Sequence, residues 1–249
     1  MCGRYLVITE DEILEMRAIL DELGKRFGGI DELPFPASAS ADSRTGHTED
    51  ASVPSTPDTP FQLSFLPPPP PADTHLPHPL HGEVFPGTLT PVLVLDGEDA
   101  VLKPMRWGFT RWDGKGAVIN ARAETVADRP MFRGPLHAGR CIIPSRGFFE
   151  WRHAPESTAR DSRARAEKYR IRRSGSMLFF MTGIYQIRDG VEEFAILTMP
   201  AMAEMQAVHD RMPVFAVHRQ ILDWLEDPGS LEDLLSNRNT LHGLDLLRV

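Results

Sequence analysis

The chain has 249 residues, 41% of them hydrophobic and 25% charged, with a formal net charge of −8. That length suffices for one domain with a buried core, while no apolar run is long enough to cross a bilayer and the Met-Cys-Gly-Arg-Tyr start lacks a secretory leader's basic and apolar segments. Two cysteines, Cys2 and Cys141, exclude a disulfide framework and fit a reducing cytoplasmic setting, with a nucleoid or nucleus also open.

In chain order, residues 2–8 read as a short strand, and Thr9 with Glu12 three residues later has the form of a helix-capping box. The helix would run through Ile13, Leu14, Met16, Ile19, Leu20 and Leu23 and end at Gly24 or Gly28. From about 35 to 81 the composition turns to Pro, Ser, Thr and Asp, including a proline run at 67–71, which reads as a disordered insertion in a surface loop. His75, His78 and His81 fall within it and read as solvated; a zinc site needs about four N or S ligands at tight spacing, so no metal and no cofactor is expected.

Short candidate strands follow at 91–95, 100–107, 116–120, 140–144, 147–151, 168–172, 177–185, 194–199 and 213–217. Asp96-Gly97, Asp113-Gly114 and Asp189-Gly190 are hairpin-turn signals between several of them. Helices are expected at about 123–137, 199–207, 219–226 and 230–240. Closely spaced strands with few helices between them give an α+β fold, a mainly antiparallel and partly closed sheet with peripheral helices. The whole chain, 1–249, would be one domain.

Charge is unevenly spread. Residues 1–102 carry 5 Lys+Arg against 17 Asp+Glu, residues 103–173 carry 17 against 7, and residues 174–249 carry 5 against 11. The central basic block, mostly arginine, is the footprint expected for a polyanion, and equally that of a solvated basic face. Cys2 would become the first residue once Met1 is removed, setting an α-amine beside a thiol. Such a 1,2-aminothiol condenses with an aldehyde to an imine and then closes a thiazolidine ring. Cys141, in an apolar run, reads as a buried small hydrophobe. Asn120, Arg122 and Glu124 would share a strand face, Glu150 lies between Phe149 and Trp151, and His209 alternates with Arg211 before Pro213. A carboxyl in an apolar setting has a raised pKa suited to proton transfer near neutrality.

Met-Cys-Gly-Arg at the start, Asn-Ala-Arg-Ala-Glu-Thr at 120–125, Arg140–Pro144 leading into Gly147–Trp151, and His209–Pro213 occur in this order. That order resembles the SOS response-associated peptidase (SRAP) family, proteins that shield abasic sites in single-stranded DNA by covalent attachment. Arg106-Trp107-Gly108 resembles the family's Trp-Gly segment, although Phe109–Trp112 replaces a stretch with proline before the second tryptophan, and Phe149 stands where tyrosine is common. The resemblance implies Cys2 as nucleophile, Asn120 orienting it, and Glu150 and His209 handling protons. It also implies DNA contacts from Gly3, Arg4, Trp107, Arg122, Trp151 and Arg211, with Trp107 and Trp151 stacking on bases. The partner would be single-stranded DNA bearing abasic sites, bound by a monomer with no membrane association. Self-cleavage or an aminopeptidase would remove Met1. Two other readings stay open on the residues alone: an N-terminal-nucleophile amidohydrolase, which would turn over, and a single-strand-binding module without chemistry, in which Cys2 would be dispensable.

Overall fold

Apolar runs without helical spacing become strands, and strands make most of this molecule. The computed structural model describes residues 3–6, 8, 10–28, 82–152, 166–175, 178–236 and 243–249. The chain divides into two units, residues 1–33 with 78–249 and residues 34–77; the second unit, and the whole expected insertion at 35–81, lie outside the described residues.

In chain order the elements are β1 (Arg4–Leu6), α1 (Glu10–Glu22), β2 (Phe27–Gly28), β3 (Glu83–Val84), β4 (Leu89–Asp96), β5 (Asp99–Trp107), β6 (Phe109–Thr110), β7 (Ala117–Val118) and β8 (Asn120–Arg122). A 3-10 turn (Ala123–Thr125) and α2 (Pro130–Ala138) precede β9 (Arg140–Ser145), β10 (Phe148–Arg152), β11 (Glu167–Arg173), β12 (Phe179–Arg188) and β13 (Val191–Pro200). The remainder is α3 (Ala203–Gln206), β14 (Arg211–Pro213), β15 (Phe215–Ala216), α4 (His218–Glu226), α5 (Ser230–Ser236) and β16 (Leu244–Arg248).

Five strands form a closed ring in the order β5, β4, β9, β12, β13, and back to β5. Every step is antiparallel except the last, a parallel pairing of Glu193 with Arg106 and Phe194 with Trp107. Val92, Leu93, Val94, Ile142, Ile143, Met181 and Ile196 are fully buried, each contributing about 1.5–3 kcal/mol relative to exposure. A second sheet runs β16-β11-β10-β1-β3. The α+β, mainly antiparallel and partly closed architecture expected from the sequence is the one observed. Cys141 is a buried free thiol, and burial pushes its pKa well up. No helix among the described residues is long and apolar enough to cross a membrane.

Several boundaries differ for local reasons. The run at 116–120 breaks at Ile119 into β7 and β8, because the Ile119 carbonyl turns away to accept from Trp107 Nε1 and Ile196 N–H, each at 3.0 Å. The run at 213–217 divides at Val214, whose N–H donates to Leu197 while its carbonyl accepts from Thr182, so the strand changes partner from β13 to β12. The helix expected at 123–137 starts only at Pro130, a residue preorganised for a first turn. Thr9 lies outside the described residues, and Glu12, its expected capping partner, is buried and paired with Arg146 at 3.0 Å. Strand β16 has no counterpart in the sequence reading. The Asp189-Gly190 signal holds: both residues have positive φ, 52° and 78°, in the two-residue turn joining β12 to β13.

One arginine ties the helices to the barrel. Arg140 Nε and Nη2 donate to the carbonyls of Trp224, Leu225 and Glu226 at 2.9–3.0 Å, and Nη1 donates to those of Leu136 and His137. It thereby satisfies the last carbonyls of α2 and α4 together and sets its charge at two negative helix ends.

Gly147 links the barrel strand β9 to β10 of the second sheet. Its φ is +130°, and a Cβ there would lie 2.3 Å from the Ile171 carbonyl oxygen. Gly147→Ala should therefore lower stability by about 2 kcal/mol or more, read as a reduced midpoint in urea unfolding; an unchanged midpoint would contradict this close approach.

Candidate functional site

β13 is the common support. Its first half lies between β12 and β5, and its second half lies between β14 and β8. All its residues from Glu193 to Met199 are buried. On one side the parallel register sets Asn120 beside Ile196 and Arg122 beside Thr198; on the other, Arg211 pairs with Pro200. Residues far apart in sequence thus meet at one end of this strand.

Asn120 is half-buried, and the residue before it is fixed by Trp107. Trp107 has 0% exposure, meets Tyr5 edge-on at 5.1 Å between ring centroids, and stacks on Phe194 at 6.4 Å. The expectation that Trp107 stacks on a DNA base is therefore corrected: it has no face to offer. Its indole holds the backbone that presents Asn120.

Arg122 is exposed, as a phosphate contact requires. Arg211 is different. Its side chain is 12% exposed, forms a two-pronged pair with Glu124, and donates to the Thr198 carbonyl at 2.6 Å and hydroxyl at 3.1 Å. Arg211 holds the Glu124 carboxyl below its ordinary pKa. Glu124 itself sits in the 3-10 turn, so the strand face expected for Asn120, Arg122 and Glu124 ends at Arg122. The Arg211 backbone N–H donates to His209 Nδ1 at 2.9 Å, which leaves Nε2 to carry the proton of the neutral ring. Asp210 Oδ1 also lies 3.0 Å from Nδ1, on a highly exposed side chain.

Glu150, on β10, is 2% exposed. Burial pushes its carboxyl above the ordinary value, against the electrostatic pull of the chain's amino terminus and of His209. β1 runs antiparallel to β10 with Arg4 opposite Phe149 and Tyr5 opposite Phe148, a course that carries Gly3 toward Glu150. Cys2 lies outside the described residues; Gly3 is half-buried. Trp151 is half-buried, with the Arg4 guanidinium 5.1 Å from its ring centroid and Lys168 Nζ at 5.9 Å. Arg4 also lies over Phe85 at 4.6 Å and pairs with Glu83 at 3.2 Å. Arg4 and Trp151 thus form one cationic and aromatic patch, to which Glu83 and Lys168 belong although neither was singled out in the sequence.

Much of the basic block is engaged within the protein: Arg106 with Glu193, Arg146 with Glu12, Arg152 with Glu167, Arg172 with Asp245, and Arg140 with helix carbonyls. From the sequence Trp112 stands only within the Phe109–Trp112 departure from the family pattern, with no role assigned to it. At 82% exposure it is the large hydrophobic side chain most open to solvent among the described residues, in the turn of the β6–β7 hairpin that runs into Asn120. Its Asp-Gly neighbours at 113–114 were the available signal, since they mark a turn and therefore a surface. Among the described residues no group of His, Cys, Asp and Glu could hold a metal ion.

The raised pKa of Glu150 makes a stability prediction. Its folded pKa exceeds its unfolded one, so its contribution is full below the unfolded pKa and is lost as pH rises through the folded value. Glu150→Gln should raise the melting temperature at pH 7–8, with the gain shrinking as pH falls and gone by about pH 3, where wild-type Glu150 is neutral in both states. A melting temperature lowered equally at both pH values would contradict the desolvation argument.

A model of the SOS response associated peptidase (SRAP) family matches residues 1–244. Abasic site processing protein YobE of Bacillus subtilis is 34% identical over 157 residues, covering 57% of this chain and 68% of the relative. Abasic site processing protein YedK of Escherichia coli is 30% identical over 147 residues, covering 57% and 63%. A crystal structure of a protein from Bacteroides thetaiotaomicron aligns with a TM-score of 0.54 at 25% identity, covering 67% of this chain and 77% of that one. One from Bordetella bronchiseptica aligns with a TM-score of 0.56 at 21% identity, covering 67% and 86%, and bears on the fold alone. With the family match spanning residues 1–244 of 249, the chain belongs to the SRAP family.

Proposed function

We propose that this chain processes abasic sites in single-stranded DNA by covalent capture through Cys2, acting as a monomer. The observation that carries the reading is Glu150: a buried carboxyl with a raised pKa, electrostatically coupled to His209, on the strand that pairs with the amino-terminal strand. The names of the relatives, abasic site processing proteins, point to the same substrate.

The chemistry balances without a cofactor. A ring-opened abasic deoxyribose presents an aldehyde, and the α-amine exposed by loss of Met1 adds to it. Expulsion of water leaves an imine. The Cys2 thiol then adds across the C=N bond, sulfur to carbon and proton to nitrogen, closing a thiazolidine. Glu150, with its carboxyl held toward the neutral form, supplies the proton for departure of water and recovers one afterwards. His209, its Nδ1 occupied, offers Nε2–H to an oxygen of the opened sugar. Asn120 orients the amine. Removal of Met1 by the chain itself would use the same acid–base pair.

DNA binding falls to Arg122, to the Arg4–Trp151 patch and to the exposed Trp112, which takes the stacking role that the buried Trp107 cannot. Arg211 serves by holding Glu124 and His209; to grip a phosphate it would have to leave Glu124. The insertion at 35–81 is not needed for the reaction.

Cys2→Ala should abolish a heat-stable adduct with an abasic oligonucleotide on a denaturing gel, because an imine alone hydrolyses. Glu150→Gln should slow adduct formation by about 10²–10⁴, and Cys141→Ala should leave it unchanged. Wild-type adduct from Cys2→Ala, or retained Met1 in fully active protein by amino-terminal sequencing, would overturn the reading. Arg122→Ala should weaken binding of undamaged single strands and reduce the salt slope by about one phosphate contact in a gel-shift titration; an unchanged slope would remove Arg122 from the interface.

A further inference from the structure

Glu193 has no part in the chemistry above, yet its carboxylate accepts four hydrogen bonds. It is 1% exposed and lies in the parallel seam where β13 meets β5. Burial works to raise its pKa, but the Thr110 hydroxyl and N–H, Arg106 and Gln186 together hold it below the ordinary value. Thr110 N–H donates to Oε2 at 2.9 Å, Gln186 Nε2 donates to Oε2 at 3.2 Å, and both the Thr110 hydroxyl and Arg106 Nη2 donate to Oε1. Arg106 Nη2 also donates to Thr110 Oγ1 at 2.8 Å, and Arg188 Nη1 donates to the Thr110 carbonyl at 2.7 Å.

Every polar group of Thr110 is therefore tied down, and all of the ties lead to β5 or to the β12–β13 hairpin. Thr110 is the last residue of β6, two positions before Trp112. The other root of this arm is held as well: Gly108 N–H donates to the Phe194 carbonyl at 2.7 Å, and Gly108 has φ +116° with room only for hydrogen, since a Cβ would lie 2.8 Å from Ala117 Cβ. The arm is thus clamped at its base while Trp112 projects at its tip. An exposed tryptophan on an unanchored turn would lose conformational freedom on stacking; one on a clamped turn has largely lost it already.

We propose that Glu193 is a positioning residue for DNA binding, acting through Thr110 to hold the Trp112 arm where its indole stacks on a base near the captured nucleotide. This rests on the DNA-binding part of the function proposed above and not on the covalent step, so binding of undamaged single strands tests it even if no adduct forms.

The test is a double-mutant cycle by gel shift with an undamaged single-stranded oligonucleotide, using Trp112→Ala, Glu193→Ala and the pair. Trp112→Ala should weaken binding about tenfold. Glu193→Ala should cost a similar factor, and the pair no more than either alone, because both remove the same contact. Thr110→Val keeps the shape but loses the hydroxyl and should weaken binding in the same direction; Thr110→Ser should restore it. Losses that multiply to about 100-fold in the double mutant would show that Glu193 acts elsewhere, and full affinity in Trp112→Ala would remove the arm from the interface. If Glu193→Ala does not fold, the Thr110→Val and Trp112→Ala pair gives the same cycle, and additivity there overturns the proposal.

Discussion

The parallel seam along β13 is the constraint on which the rest depends. A parallel pair cannot be joined by a tight turn, so the chain between its strands must travel. Between β5 and β13 it builds the Trp112 arm, β8, α2 and the strands of both sheets before returning. Closure at Glu193–Arg106 and Phe194–Trp107 then sets β8 beside the far half of β13, and with it Asn120 and Arg122. β14 fills the opposite side and brings His209 and Arg211 to the same end. The site is thus a product of closure rather than of any local motif.

Charge follows a similar logic of competition. A basic block in the sequence suggests a surface for a polyanion, but a folded chain of net charge −8 has carboxylates at hand. Pairs such as Arg152 with Glu167 and Arg172 with Asp245 are partly exposed and are worth only about 0–1 kcal/mol each, so a phosphate could displace the carboxylate at small cost. Arg106 is held otherwise: its partner Glu193 is buried, and breaking that pair would strand a carboxylate away from water. Arginines of one stretch therefore divide into those that can be lent to DNA and those that hold the fold.

The sequence made the strands legible because each core strand is a short apolar run, such as Val92–Leu95 or Cys141–Ile143, bounded by a turn signal. The helix caps and strand breaks were not legible, since they depend on partners distant in sequence: Ile119 turns toward Trp107, and Val214 is shared between β12 and β13. The candidate site was readable as residue types in a recurring order, so Asn120, Glu150 and His209 could be named. Their settings could not. Nothing near Trp107 says that its indole is buried against Tyr5 and Phe194, and nothing near Arg211 says that Glu124, 87 residues away, holds it. The apolar flanks of Glu150 did announce its burial, because neighbours on a strand share its depth even when they face the other way.

The tryptophans fall into sharply different surroundings. Trp107 and Trp224 are at 0% exposure, Trp151 is half-buried, and Trp112 stands at 82% on its arm. Their emission is consequently composite: a blue component from the two indoles sealed in the interior, and a red one in which Trp112 has the greatest share. A water-soluble quencher such as iodide reaches Trp112 first and leaves the sealed indoles bright. The molecule thus carries its own optical probe at the tip of the arm, spectrally separable from the indoles that report on its core.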